Sequence, residues 1–433
     1  MTHAYLNQPI DPTSAERLAH DGLRFSLIDE TDVAVFTEWS QSVARGFHGP
    51  RDTPEQIAQR VQYFGERRAS GVYDDSAADA ASPVATIDAW PSDLTVPGRS
   101  SVPAWAISSV TVSPTHRRKG IARNMLEGEL RTAQELGVPL AALTVSESTI
   151  YGRFGFAPAV FATKLTIDTR RAGWAGPTPT GRVRFITLQE FRREIESMHD
   201  RVRTTSPGQV PAWPMRWDRL SGLTIDEPER TKRVLAVRYD DAEGNLTGLA
   251  TYRVTGDDDF VGHSLFIDYL ATSTPDAYAG LWRYMLEVDL VRSVSADVRS
   301  TDEPVLWQLA DRRAAKLESW DHLWLRILDV PAALQARSYA VDGRWVFEVT
   351  DPLEFAAGRY ALQVIDGVGT VERTDEPAAA TLTVNALSAL YPGGVAATTL
   401  AQAGLIAEAT PGAAAALDSA FRSPITPWLS IWF

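Results

Sequence analysis

Apolar positions change period several times along the chain, and each change marks an element. After a polar lead, "LRFSLID" (Leu23–Asp29) reads as a strand. "FTEWSQSVARGF" (Phe36–Phe47) and "TPEQIAQRVQYFGERR" (Thr53–Arg68) repeat apolar residues at threes and fours, which predicts two amphipathic helices. "ASPVATIDAW" (Ala81–Trp90) is a strand candidate, and "WAISSVTVSP" (Trp105–Pro114) is a β-rich run closed by its proline. From Arg118 to Gly137, Ile121, Met125, Leu126 and Leu130 lie at helical spacing, and "LAALTVS" (Leu140–Ser146) reads as a buried strand. Strand, turn, helix and strand at this spacing predict a βαβ unit with parallel strands.

The Gly- and Pro-rich segment "RRAGWAGPTPTGR" (Arg170–Arg182) marks a transition, after which the pattern restarts. "VRFIT" is a strand, "LQEFRREIESMHDRVR" a helix, and "RVLAVRYD", "LTGLATYRV" and "SLFIDYLATS" are strands before the helix "DAYAGLWRYMLEVD". This order repeats the first half in degenerate form and predicts an internal duplication. Beyond about residue 300 come the strand-like runs "HLWLRILD", "RWVFEV", "GRYALQVID" and "AAATLTVN", then Ala-rich helices, predicting a third, α+β domain. The expected boundaries are 1–160, 161–300 and 301–433. Residues Pro377–Ala407 carry no charge, but Pro392, Gly393 and Gly394 break the stretch, so it reads as packed Ala-rich helices rather than a membrane span.

The length of 433 residues exceeds what one core fills. The net charge, 42 − 55 = −13, argues against a sequence-independent nucleic-acid binder and suits cationic small substrates. There is no cysteine, which removes disulfides, thiolate metal sites and a cysteine nucleophile. The seven histidines form no metal-ligand spacing, so no metal is expected. The polar start lacks a signal-peptide pattern, and a cytoplasmic protein without membrane insertion is expected.

The stretch "VTVSPTHRRKGIARNML" (Val110–Leu126) carries the chemistry. A strand ends, the chain turns through Arg117, Arg118, Lys119 and Gly120, and a helix begins. The first turn of a helix holds N–H groups without internal partners and the positive end of the dipole, so it attracts phosphate. Gly120 permits close approach, and three basic side chains add charge. The same spacing also fits a plain basic turn on a solvated face. A Walker pattern is absent.

Arg117-Arg118-Lys119-Gly120-Ile121-Ala122 matches the R/Q-x-x-G-x-G/A signature of the GCN5-related N-acetyltransferases, preceded by a V-x-V-x-P strand. The resemblance implies acetyl-coenzyme A binding there. Val110, Thr111 and Val112 would face the pantetheine and the acetyl carbonyl, and Arg117 to Ala122 the pyrophosphate. "SESTIYGRFGFAPA" follows one strand later, offering Ser146 along the cofactor and Tyr151 near its sulfur. A narrower match spans nearly the whole chain. "SPTHRRKG", "SESTIYGRFGF", "LWLRILDVPAALQARSYA" and the terminal Phe resemble the enhanced intracellular survival (Eis) acetyltransferases. That resemblance implies two tandem acetyltransferase-like α/β domains, the second degenerate, and a sterol-carrier-protein-like α+β domain. It also implies a hexamer that acetylates polyamines such as aminoglycosides, with Tyr151 as acid and the Phe433 α-carboxylate as base. The second half keeps Gly280 but has "TPDAYAGLW" where the basic turn belongs, so it is expected not to bind the cofactor.

With no cysteine and no G-x-S-x-G elbow, direct attack by the amine in a ternary complex is expected. "SPITPWLSIWF" is unusually apolar for a chain end and predicts a buried terminus. His116 beside the turn suits packing or capping, and His48 could line a substrate loop. Phe36, Trp39, Phe47, Trp90 and Trp105 could wall a pocket, although aromatics at such spacing belong more often to a core. Asp88 and Asp93 could supply acidic charge. Two rival readings remain at this level: acetylation of protein lysine or small amines, and an apolar-ligand carrier.

Overall fold

The computed structural model describes residues 3–225, 228–256 and 262–433. The chain forms two compact units. One holds residues 1–159, 323–424 and 433, and the other holds 160–322 and 425–432.

In the first unit, strands β1 (Arg24–Leu27), β2 (Arg68–Tyr73), β3 (Ala85–Thr95), β4 (Ser101–Val112) and β5 (Leu140–Thr144) lie side by side in that order. β1 to β4 are antiparallel, whereas β4 and β5 run parallel across the helix Ile121–Glu135. Ile121, Met125, Leu126 and Leu130 of that helix are buried against Trp105 and Ile107 of β4 and Leu143 of β5. The 3.6-residue spacing read from the sequence is therefore the core-facing stripe.

In the second unit, β6 (Ala157–Asp168) and β11 (Val291–Arg299) are antiparallel neighbours, and β7 (Arg182–Ile186), β8 (Val234–Asp240), β9 (Leu246–Thr255) and β10 (His263–Thr272) complete the order β6-β11-β10-β9-β8-β7. β10 and β11 run parallel across the helix Pro275–Leu286. Both halves thus share one strand order and one parallel pair, the topology expected of a duplication. The cores stay separate: Trp282, Leu281 and Met285 sit in this second cluster.

β12 (Ala315–Ile327) returns the chain, and its Leu323–Ile327 end pairs with β5. A separate sheet follows, ordered β15-β14-β13-β16-β17 from β13 (Gly343–Thr350), β14 (Gly358–Ile365), β15 (Val368–Arg373), β16 (Ala380–Thr383) and β17 (Ile406–Glu408). The Ala-rich helices Val384–Leu390, Ala397–Gln402 and Ala413–Phe421 accompany it, with Leu387, Leu390 and Leu417 buried. No helix among the described residues is long and apolar enough to cross a membrane.

Candidate active site

A cleft of about 860 Å³ opens in the first unit where β4 leaves β5. The two strands pair only through Ala104–Ala106 and Leu140–Ala142. Beyond that, the β3–β4 register slips between Thr86 and Asp88, and Ser109 takes a left-handed backbone with φ 53°. This is a β-bulge, which bends the strand away from its neighbour. Thr86 stabilises it, because its hydroxyl donates to the Ser109 carbonyl at 2.8 Å and stands 2.7 Å from the Thr111 hydroxyl. The bulge leaves Val110, Thr111 and Val112 lining the cleft with the edge toward β5 unpaired. Gly46 closes the far side: a Cβ there would fall 2.4 Å from the Thr111 side chain.

The floor of the cleft is the turn that opens the helix Ile121–Glu135. Gly120, at φ 72°, is its N-cap, and no side chain caps the first N–H groups. Arg118 is also left-handed at φ 65°. Arg117, Arg118, Gly120, Ile121 and Ala122 line the cleft. An uncapped, 15-residue helix end ringed by arginines has donors and charge free for a pyrophosphate. Lys119 is exposed and is not among the lining residues.

The corresponding end in the second unit is built oppositely. Thr274 caps the helix Pro275–Leu286 through the Ala277 N–H, and Asp276 stands in its first turn. Asp276 accepts from the Tyr239 hydroxyl and from Thr180. A Cβ on Gly280 would lie 2.1 Å from the Tyr239 ring. The donors are used, the charge is negative, and an aromatic ring fills the space, so this end does not suit a phosphate.

Ser146 and Tyr151 line the cleft at the end of β5. Burial pushes the Tyr151 hydroxyl above its ordinary value, with the Ser146 side chain acting in the opposite sense. The phenol therefore stays protonated at any working pH. Its loop is held from the C-terminal segment of the same unit. Asn385 donates to the Gly152 and Phe156 carbonyls at 2.8 Å each, and Arg326 donates to Phe154 O at 3.1 Å. Arg326 is itself fully buried in a bidentate pair with Asp351 at 2.7 and 2.8 Å.

Phe433 packs in the first unit, although it is not among the cleft's lining residues. Its ring meets Trp90 edge-on at 5.7 Å. Its main-chain oxygen accepts from the Thr144 hydroxyl, and its N–H reaches that same hydroxyl at 3.4 Å. The preceding tail packs in the second unit. Trp428 donates to Pro207 O and Val298 O, both at 2.8 Å, and His322 bonds the Ile431 carbonyl at 2.8 Å. Leu429 and Ile431 are completely buried, which accounts for the apolar tail; it packs as irregular backbone, not as a strand.

The remaining candidates separate. Phe36, Trp39 and Trp105 are core residues. Phe47 and His48 line the cleft. His116 lines it too, and its Nε2 lies 3.0 Å from Asp74, whose carboxyl is held down at about 2 chiefly by that contact. Asp88 does not supply cleft charge, because it is buried and paired with Arg67 at 3.1 Å. Asp93 does not line the cleft either. Arg45, Arg123 and Arg153 also line the cleft; Arg123 and Arg153 stand inside the quoted stretches at positions given no role, and Arg45 lies in a helix with no motif to mark it. Among the described residues no group of three or more His, Asp or Glu is placed to hold a metal ion.

Comparison with known proteins gives a consistent pattern. An acetyltransferase (GNAT) domain model matches residues 28–159 and a second one 208–327, and a sterol carrier protein domain model matches 330–430. An uncharacterized N-acetyltransferase of Streptomyces avermitilis is 35% identical over 415 residues, covering 92% of this chain and 98% of that protein. The N-acetyltransferase Eis of Mycobacterium tuberculosis is 35% identical over 342 residues, covering 77% and 81%. The crystal structure of Eis1 from Mycobacterium abscessus superposes with a TM-score of 0.82 at 27% identity, covering 95% of this chain and all of that one.

Proposed function

This chain belongs to the Eis-like family of GCN5-related N-acetyltransferases, enzymes that act on amines, and from that premise we propose a direct acetyl transfer from acetyl-coenzyme A to polyamines such as aminoglycosides. The observation that carries this reading is the single cleft lined by the uncapped arginine-rich turn, the splayed β4 edge and Tyr151.

In this reading Arg117, Arg118 and the N–H groups of Gly120, Ile121 and Ala122 take the pyrophosphate, and Lys119, outside the lining, adds charge from a distance. Val110, Thr111 and Ser146 align the pantetheine arm, and the Val112 N–H meets the developing oxyanion. The amine nitrogen forms its bond to the acetyl carbon while the carbon–sulfur bond breaks and its electron pair stays on sulfur. The amine enters the step neutral, and the Phe433 carboxylate takes, directly or through a water, the one proton its nitrogen sheds on becoming an amide. Tyr151 gives its proton to the thiolate and recovers one from solvent. A free α-carboxylate has an ordinary pKa of about 3.5, so position rather than basicity must supply its effect. Holding amine and thioester together supplies most of the rest. The excess of acidic residues favours cationic acceptors, and the reading takes the assembly to be the hexamer that the sequence resemblance implies.

Thiol release from acetyl-coenzyme A, followed with and without an aminoglycoside, tests the proposal. The expected result is release that depends on the amine and stops when amines are consumed. Release without any amine, or none with aminoglycosides, lysine peptides and small amines alike, would contradict it.

A further inference from the structure

We propose that Thr144 is a positioning residue for the base: its hydroxyl holds one oxygen of the Phe433 carboxylate and leaves the other turned to the amine. This rests on the reading that Phe433 supplies the base. A terminal carboxylate otherwise rotates freely about its last backbone bond, which makes it a poor tool for a proton transfer that needs fixed geometry. Here one hydroxyl contacts both ends of the residue, donating to the Phe433 oxygen and receiving its N–H at 3.4 Å.

The ring is fixed independently. It meets Trp90 edge-on, and the Arg67 guanidinium lies 3.9 Å over the Trp90 ring while pairing with buried Asp88. Ring, nitrogen and oxygen are thus all held within one unit, and a carboxylate oxygen offers further lone pairs to a proton donor. Thr144 is the last residue of β5 and stands two positions before Ser146, the cleft residue beside Tyr151. One strand end thereby sets both the proton acceptor and the neighbour of the proton donor.

Thr144→Val keeps shape and removes the donor; Thr144→Ser keeps the donor. Thr144→Val is expected to lower kcat about tenfold or more, while Thr144→Ser stays close to the parent. Losing a hydrogen bond to the charged form raises a carboxylate's pKa. The acid limb of the kcat profile should therefore move to higher pH in Thr144→Val, measured on one amine so that the substrate's own titration cancels. If the Val variant unfolds, Thr144→Ala is read the same way. An unchanged kcat and profile would overturn the assignment, as would a fall in kcat without a shift in the limb, or an equal fall in the Ser variant. A chain carrying one extra residue after Phe433 separates the two levels. If it keeps the full rate, the base reading fails; if it is inactive while Thr144→Val is normal, only the role of Thr144 fails.

Discussion

Two side chains in the cleft have roles that single substitutions isolate. Tyr151 is almost fully buried and its hydroxyl is held protonated, so it can donate but does not titrate in the working range. Tyr151→Phe removes one oxygen and no packing. It is expected to lower kcat about 100-fold with a thermal unfolding midpoint close to the parent, both read on the same preparation. Arg118 holds a left-handed backbone that non-glycine residues adopt at a cost. Arg118→Glu should weaken acetyl-coenzyme A binding by tenfold or more in a titration. Arg118→Gly should weaken it less, with stability kept or raised because glycine accepts that backbone.

Between elements, two buried contacts set the cleft. Thr86 satisfies the carbonyl that the β4 bulge frees. Thr86→Val leaves it unpaired, and the expected outcome is a several-fold higher KM for acetyl-coenzyme A with little change in KM for the amine. The Arg326–Asp351 pair has no exposed side-chain surface. Arg326→Met strands a buried carboxylate and should cost about 3–5 kcal/mol in denaturant unfolding. Changing Asp351 to leucine in the same chain should restore much of that loss. The sequence made some of these elements legible and hid others for physical reasons. Ile121, Met125, Leu126 and Leu130 announced their helix by their spacing, whereas the burial of Asn124, Glu127 and Glu129 between them left no mark in the apolar pattern. β2, "RASGVY", is buried at every position, including Arg68, so no alternation marks it. The helix Pro12–His20 hid in the polar lead because Leu18 is its main apolar anchor. The arginine turn was readable as a phosphate site from local spacing, whereas the bulge and the Thr144 grip depend on pairings between distant segments.

At the scale of the whole molecule, buried histidines set the acid side of stability. Burial pushes His322 down to about 4 from an ordinary 6.5, and His199 shifts in the same direction. Between these values the unfolded chain binds a proton that the folded chain refuses. Stability should therefore be full above about pH 6.5, fall as pH drops through that window, and level off for this group below about 4. The full loss from His322 is on the order of 3 kcal/mol. Denaturant titrations at steps from pH 7.5 to 4 should show this slope, and His322→Gln should flatten it. Asp74 acts lower, its contribution being present above the ordinary carboxylate range and lost as pH falls toward 2. The central claim, that amine and acetyl-coenzyme A meet in one cleft without an acyl-enzyme, is tested by initial rates with both substrates varied together. Double-reciprocal lines that intersect are the predicted result; parallel lines, the mark of an acetylated enzyme released before the amine binds, would contradict it.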